Sequence, residues 1–379
     1  MKFYKKIYQC KLCTWSHKYK FLLSAFVFLA LLTGIAWLFI KASGGFSWEY
    51  PILPEYWSFY GSFIGGFLLI FTLLYQIRVF RKQQIEAKFF ELIKYYRDNL
   101  LEMKSRNPFY YRDRNGRDVD EEFIYGRRVM KTIFEQYLVG RKLAKQILDG
   151  KKQPENESSG FDRIVKAYTA YKWDHVPDKT VWQEQYQISE IAYLITFWGI
   201  PKDIDIELSK CLSKIIHEDQ VIKLLEIVKS IPALFECGMN AKSLMIMLTG
   251  KDNPIKVRSP SGLVTFFGGH QYHLGHYFRH FYQAVKYIDS QPWWLLGGIE
   301  KYEYIKTLRA QLSNYEQALL FINSLTELGR KWEYENPSKS ELISKYNLIK
   351  NLPEYFIPDM KPQYYYPKVD FEWKVPVEI

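Results

Sequence analysis

Four of the seven histidines in the chain fall within eleven residues: His270, His273, His276 and His280, in the run GGHQYHLGHYFRH. Imidazoles at i, i+3 and i+4 on a helix can ligate a metal or relay protons. At ~100° per residue the four lie within about a third of the helix circumference. They also spread over ~15 Å of helix, too far for one tetrahedral centre. The glutamate of an H-E-x-x-H motif is missing. Leu274, Phe278, Phe281, Val285 and Ile288 take the apolar stripe of the same segment. The histidines, with Arg279, therefore flank the core. They read as a hydrogen-bonded interior or interface face, with metal ligation as the sharper alternative.

A second polar line follows. Leu308, Leu312, Tyr315, Leu319 and Ile322 form the core stripe of a helix expected over 300–331, and Arg309, Ser313, Glu316 and Asn323 share a neighbouring face. Charges so near a core need partners. Arg279 and Arg309 are expected to form a charged network with Glu316 between two packed helices; a nucleotide- or RNA-binding surface is the alternative. Cys10-Lys-Leu-Cys13 with His17 makes half of a zinc site and lacks a fourth ligand. The sequence holds no phosphate-binding G-x-x-x-x-G-K-[ST] loop, no G-x-S-x-G elbow and no dinucleotide fingerprint. Nor does any arginine precede a histidine at the four-to-six-residue spacing of helical prokaryotic ribonucleases. No enzymatic activity, catalytic residue, cofactor or metal is expected.

These residues must be positioned by a chain whose start belongs to a membrane. Phe21–Ile40 and Tyr56–Tyr75 are two uncharged apolar runs, each long enough at ~1.5 Å per residue to cross the roughly 30 Å hydrocarbon layer. Neither shows the polar face of a soluble core helix. Six lysines and no acidic residue precede the first run; Arg78, Arg81 and Lys82 follow the second; the connection carries Lys41 against Glu49 and Glu55. Positive flanks stay inside, so both termini are expected in the cytoplasm and the connection outside. Gly61 and Gly65 in the second span, and Ala30 and Gly34 in the first, are spaced for close helix packing within this hairpin or between protomers. The net charge of +11 is mostly this membrane-proximal lysine, which argues against direct nucleic-acid binding.

The chain thus divides into a basic N-terminus (1–20), transmembrane helices at 21–40 and 56–76 joined by a periplasmic loop (41–55), a cytoplasmic α-helical domain (77–352) and a Pro- and aromatic-rich strap (353–379). The second span is expected to continue as one helix to about Met103. A polar loop over 104–120 then leads to a helix from Glu121 to Leu148, and Lys151–Gly160 is a linker. Further helices are expected near 161–171, 181–199, 205–216, 218–229, 244–248, 270–290 and 338–350. No sustained strand alternation appears, so the class is all-α: a two-helix transmembrane hairpin followed by a large α-helical cytoplasmic domain.

The runs LGHYFRHFYQAVKYID (Leu274–Asp289), YIKTLRAQLSNYEQALLFINSL (Tyr304–Leu325) and LISKYNLIKNLP (Leu342–Pro353) together resemble the phage abortive infection family. FFELIKYYRDNL and GRRVMKTIFEQ upstream are similar to its opening segments, and RAQLSNYE is the most specific stretch. Members of that family commonly place two transmembrane helices ahead of this domain, and related two-span proteins act as effectors of retron systems. The resemblance implies bacterial anti-phage defence. The uninterrupted stalk, the small-residue spans and the absent enzyme motifs point to an inner-membrane toxin that permeabilises the bilayer when infection or a partner triggers it, and the small-residue spacing leaves homo-oligomers open. The resemblance also points to a protein or ribonucleoprotein partner from the same defence system. It brings no catalytic mechanism. A membrane-tethered nuclease using the His and Arg faces, or a sensor merely anchored by its hairpin, are the competing functions. The topology is directly testable. Reporters fused before Met1 and after Ile379 should both report cytoplasm and one inserted at Gly45 periplasm; an external terminus would overturn the orientation taken from the basic flanks.

Overall fold

A computed structural model describes residues 33–34, 54–108, 121–148, 179–199, 206–224, 267–333 and 341–374. The basic N-terminus, nearly all of the first span with Ala30, the connection to residue 53, Cys10, Cys13, His17 and the expected helices at 161–171 and 244–248 lie outside the described residues. Most described residues are helical. The chain divides into two compact units: Met1–Phe90 with Tyr287–Tyr304, and Glu91–Lys286 with Ile305–Ile379.

In the first unit, helix α1 (Pro54–Glu102) begins, and it is unbroken. No proline or glycine interrupts it after Gly66, so nothing stops the i to i−4 ladder. From Gly61 it is long and apolar enough to cross a membrane, and none of its most apolar window is buried. Leu68, Leu69, Ile70, Leu73 and Leu74 all face outward. Among the described residues it is the one such helix, so the second arm of the hairpin is not shown. A methyl group placed on Gly34, Gly61 or Gly65 would meet no described atom within 4 Å. Beyond the apolar run, α1 changes character, and Ile85 and Phe89 are buried. Phe89 meets Tyr304 edge-on at 5.4 Å, the Tyr304 hydroxyl donates to Glu86, and Lys82 pairs with Glu300 at 2.7 Å.

In the second unit, strands β1 (Lys104–Arg106) and β2 (Phe123–Tyr125) form an antiparallel ribbon, with Ser105 opposite Ile124. The start of the polar loop expected over 104–120 and the helix expected from Glu121 are therefore corrected, while residues 109–120 lie outside the described residues. Strands of three residues are too short to show an alternation in sequence. Gly126, at φ 58, turns the chain into α2 (Arg127–Leu148). Helix α2 packs along α3 (Lys179–Trp198), and α4 (Ile206–Leu212) with the helical turn at 218–224 closes one end. Val139, Leu143, Ile147, Ile188, Ile191, Ile195, Leu208, Leu212 and Leu224 form one apolar cluster there. The two long helices approach most closely at Gly140, where a β-carbon would stand 3.2 Å from the Ala192 carbonyl oxygen.

Helices α5 (Gln271–Asp289), α6 (Gly298–Arg309) and α7 (Asn314–Leu325) come next, then a 3-10 turn at Glu327–Trp332. One helix over 300–331 is thus replaced by three pieces. The break falls at Ala310–Ser313, where Ser313 adopts extended backbone and caps α7. Every residue of α7 from Glu316 to Leu325 is buried. Such a helix has no solvent face and lies inside the domain. Helix α8 (Leu342–Tyr346) is shorter than 338–350 because Asn347 stands in the left-handed region (φ 52) and ends it.

Residues 353–374, with the short helix α9 (Pro362–Tyr365), pack back on the unit through Ile357, Met360, Tyr365, Tyr366 and Phe371. Buried Arg141 of α2 holds this segment: it donates to the Pro358 carbonyl at 3.0 Å, to the Met360 sulfur at 2.8 Å and to Gln185 of α3 at 2.6 Å.

Candidate functional site

The polar centre of the second unit is the N-terminus of α7. Ser313 and Glu316 form a capping box: the Ser313 hydroxyl accepts from the Glu316 N–H, and the Glu316 carboxylate reaches back to the Ser313 N–H at 2.7 Å. Two otherwise orphaned helix-end donors are thereby satisfied. The other carboxylate oxygen of Glu316 accepts from the Tyr96 hydroxyl at 3.0 Å and the Tyr277 hydroxyl at 2.9 Å. These two phenols come from α1 and α5 and touch each other at 2.7 Å. Arg127 completes the set, its Nε 3.8 Å from the carboxylate and its guanidinium donating to the Gln311 carbonyl at 2.6 Å.

Glu316 is fully buried. Burial and the nearby carboxylate hold the Tyr96 hydroxyl well above its usual range. Tyr277 is raised likewise by burial, by Tyr96 and by Glu316. Both phenols therefore remain neutral donors. A carboxylate that accepts from two phenols, a serine hydroxyl and a backbone N–H has its lone pairs engaged. It joins four segments of the chain and is poorly placed to act as a base.

Arg309 is buried but is not the partner of Glu316 that the sequence suggested. Its guanidinium donates to the carbonyls of Tyr346 and Asn347, at 3.3 and 3.2 Å, where α8 ends. Arg279 is exposed on α5. The expected Arg279–Arg309–Glu316 network is thus replaced by Arg127, Ser313 and two tyrosines. The helix break before Ser313 separates the register of Arg309 from that of Glu316. Further along α7, Asn323 donates to the Tyr193 hydroxyl at 2.7 Å and Ser324 meets the Tyr366 hydroxyl at 2.5 Å.

The histidines do not form one face. His270 precedes α5 and is buried, with Nε2 hydrogen-bonded to Gln136 of α2. A close backbone contact places it there. Gly199 and Gly269 both take positive φ, 73° and 84°, and a β-carbon on Gly199 would lie 2.3 Å from the Gly269 nitrogen. Only glycines allow that approach, and it lets the His270 N–H bond the Phe197 carbonyl at 2.9 Å. His273 bonds the Lys104 carbonyl of β1 at 3.1 Å. His276 is exposed and lies against Tyr272 and His280. Among the described residues, no group of three or more metal-ligating side chains is brought together. Burial, then the neighbouring His273, lowers His270 to about 3.

Two outcomes follow for stability. Glu316→Gln should destabilise the detergent-solubilised protein by about 1–3 kcal/mol in denaturant titration. Combined with Tyr277→Phe it should cost less than the two singly, with a coupling of about 0.5–3 kcal/mol; strict additivity would mean the bond is not made. His270 gives a pH dependence. The unfolded chain binds a proton there near 6.5, the folded protein only near 3. Stability is therefore lost as pH falls through that window, by up to about 1.4 kcal/mol per pH unit. His270→Gln should flatten this slope, and an unchanged slope would place the titration elsewhere.

Compared with known proteins, residues 269–357 match the family model described as putative phage abortive infection protein. No curated protein and no solved structure matches the chain. The matched segment runs from Gly269 through α5, α6, α7 and α8 to Ile357, and so contains Tyr277, Arg309, Ser313 and Glu316. This segment, centred on the buried helix α7, is the part of the chain that is similar to the phage abortive infection family.

Proposed function

We propose that the protein is an anti-phage effector of the bacterial inner membrane, whose cytoplasmic domain responds to infection and whose spans then permeabilise the bilayer. The observation that carries this is the outward-facing apolar run of α1 in a chain whose residues 269–357 match the abortive infection family. The polar groups of α7 are taken up in holding the domain together, which favours a sensing or scaffolding role for it over hydrolytic chemistry. A protein or ribonucleoprotein of the same defence system is the proposed trigger, and oligomerisation through the spans the proposed route to a pore. Gly61 and Gly65 stand one turn apart on α1, the spacing at which helix backbones pack closely.

The test follows membrane potential and the integrity of RNA and DNA together in infected cells. Depolarisation should precede any loss of nucleic acid. A protein carrying both Gly61→Leu and Gly65→Leu should fold yet leave the potential intact. Nucleic-acid breakdown before depolarisation would identify a tethered nuclease instead. Defence with the potential held throughout would make the hairpin only an anchor.

A further inference from the structure

In the first unit, residues 287–304 include a loop, QPWWLLGG, whose four large apolar side chains divide by direction. Leu295 and Leu296 are buried, whereas Trp293 is 72% and Trp294 42% exposed. Two adjacent exposed tryptophans are costly in water and need an environment. The loop is firmly held. Glu300 accepts from the Gly297 N–H at 3.0 Å with one carboxylate oxygen and from Lys82 of α1 at 2.7 Å with the other. Lys301 donates to the carbonyls of Asp289, at 2.8 Å, and Gln291. Burial alone would raise the Glu300 carboxyl; Lys82, the Gly297 N–H and Arg78 bring it below its usual value. It is therefore anionic and keeps the loop against the basic stretch of α1.

A further contact fixes the level of the tryptophans along α1. The Arg81 guanidinium lies over the Trp294 ring, 5.9 Å from its centre. Arg81 is six residues beyond Tyr75, where the apolar run ends, or about 9 Å further along the helix. The headgroup layer on each side of the hydrocarbon core is about 5–7.5 Å deep, so Arg81 stands at its outer edge with the Trp294 ring within reach of it. Tryptophan favours this layer because its ring is apolar and its N–H is wet, and arginine and lysine there meet lipid phosphates. Arg78, Arg81 and Lys82 lie on the same stretch of α1.

We propose that Trp293 and Trp294 form an interfacial anchor, seated among the phospholipid headgroups of the same bilayer that α1 crosses, with Arg78, Arg81 and Lys82 binding the phosphates. This rests on α1 being a membrane span. The occupant is lipid rather than a protein because the exposed rings are level with the basic collar of an apolar helix that no described residue covers.

The test uses the full-length chain with Cys10, Cys13, Cys211 and Cys237 changed to serine and one environment-sensitive fluorophore on Trp293→Cys or, separately, Leu69→Cys. Each is reconstituted in vesicles of phosphatidylcholine and phosphatidylglycerol carrying a spin label either at the headgroup or deep in the acyl chain. The Trp293→Cys dye should lose most emission to the headgroup label, and the Leu69→Cys dye to the deep label. If the Leu69→Cys dye is quenched while the Trp293→Cys dye responds only to aqueous iodide, α1 spans and the anchor is wrong. A Trp293→Cys dye shielded from both iodide and lipid labels would overturn the anchor in favour of a protein partner. If neither dye meets a lipid label, the span itself fails and the anchor with it.

Discussion

Helix α7 imposes the constraint on which the second unit depends. It is buried on every side, yet it carries Glu316, Gln317, Asn323 and Ser324 into the interior. A buried polar group without a partner costs more than its hydrogen bond returns. Each of these side chains is accordingly met from another element. Tyr96 and Tyr277 donate to Glu316, Tyr193 accepts from Asn323, and Tyr366 meets Ser324. Gln317 accepts from the Asn351 N–H at 3.0 Å. An apolar helix in the same place could rotate or slide with little penalty. This one is registered by four polar contacts, so the position of every helix around it is specified by bonding as well as by volume.

Much of this was legible in the sequence, and the parts that were not have identifiable causes. The apolar stripe of α5, from Leu274 to Ile288, lies in the core as its spacing predicts, because amphipathic periodicity records which face is buried. The length of helix α1 follows from the absence of any proline or glycine after Gly66. The break before α7 was also written in the chain. Ser313-Asn-Tyr-Glu316 ahead of an apolar run is a capping-box signal, outweighed by a helical period that continued across it. Treating 300–331 as one helix put Arg309 and Glu316 on a shared face and suggested a pairing that the cap prevents. The partners of Glu316 could not be found this way. Tyr96, Arg127 and Tyr277 are brought to it by tertiary packing across as many as 220 residues, which no local pattern encodes.

The two units call on different physics. In the first, Leu68, Leu69, Ile70, Leu73 and Leu74 of α1 point outward and no described residue buries them, so lipid is their natural solvent. In the second, nearly every polar side chain of the central helix is occupied with internal bonds, and the histidines are dispersed between interior and surface. The matched segment is thus built around a helix whose polar side chains are taken up in internal bonds.

The attachment of residues 353–374 also bears on the order in which the domain can mature on the ribosome. Arg141 sits in α2, but two of its acceptors, the Pro358 carbonyl and the Met360 sulfur, are made more than two hundred residues later. Until that segment emerges, a guanidinium lies among apolar helices with only part of its partners, a state of high free energy. The apolar run of α1 is by then long since available to the translocation machinery. Contacts of such separation are slow to close. Each newly made molecule therefore passes through a period in which its membrane part is complete and its soluble part is not.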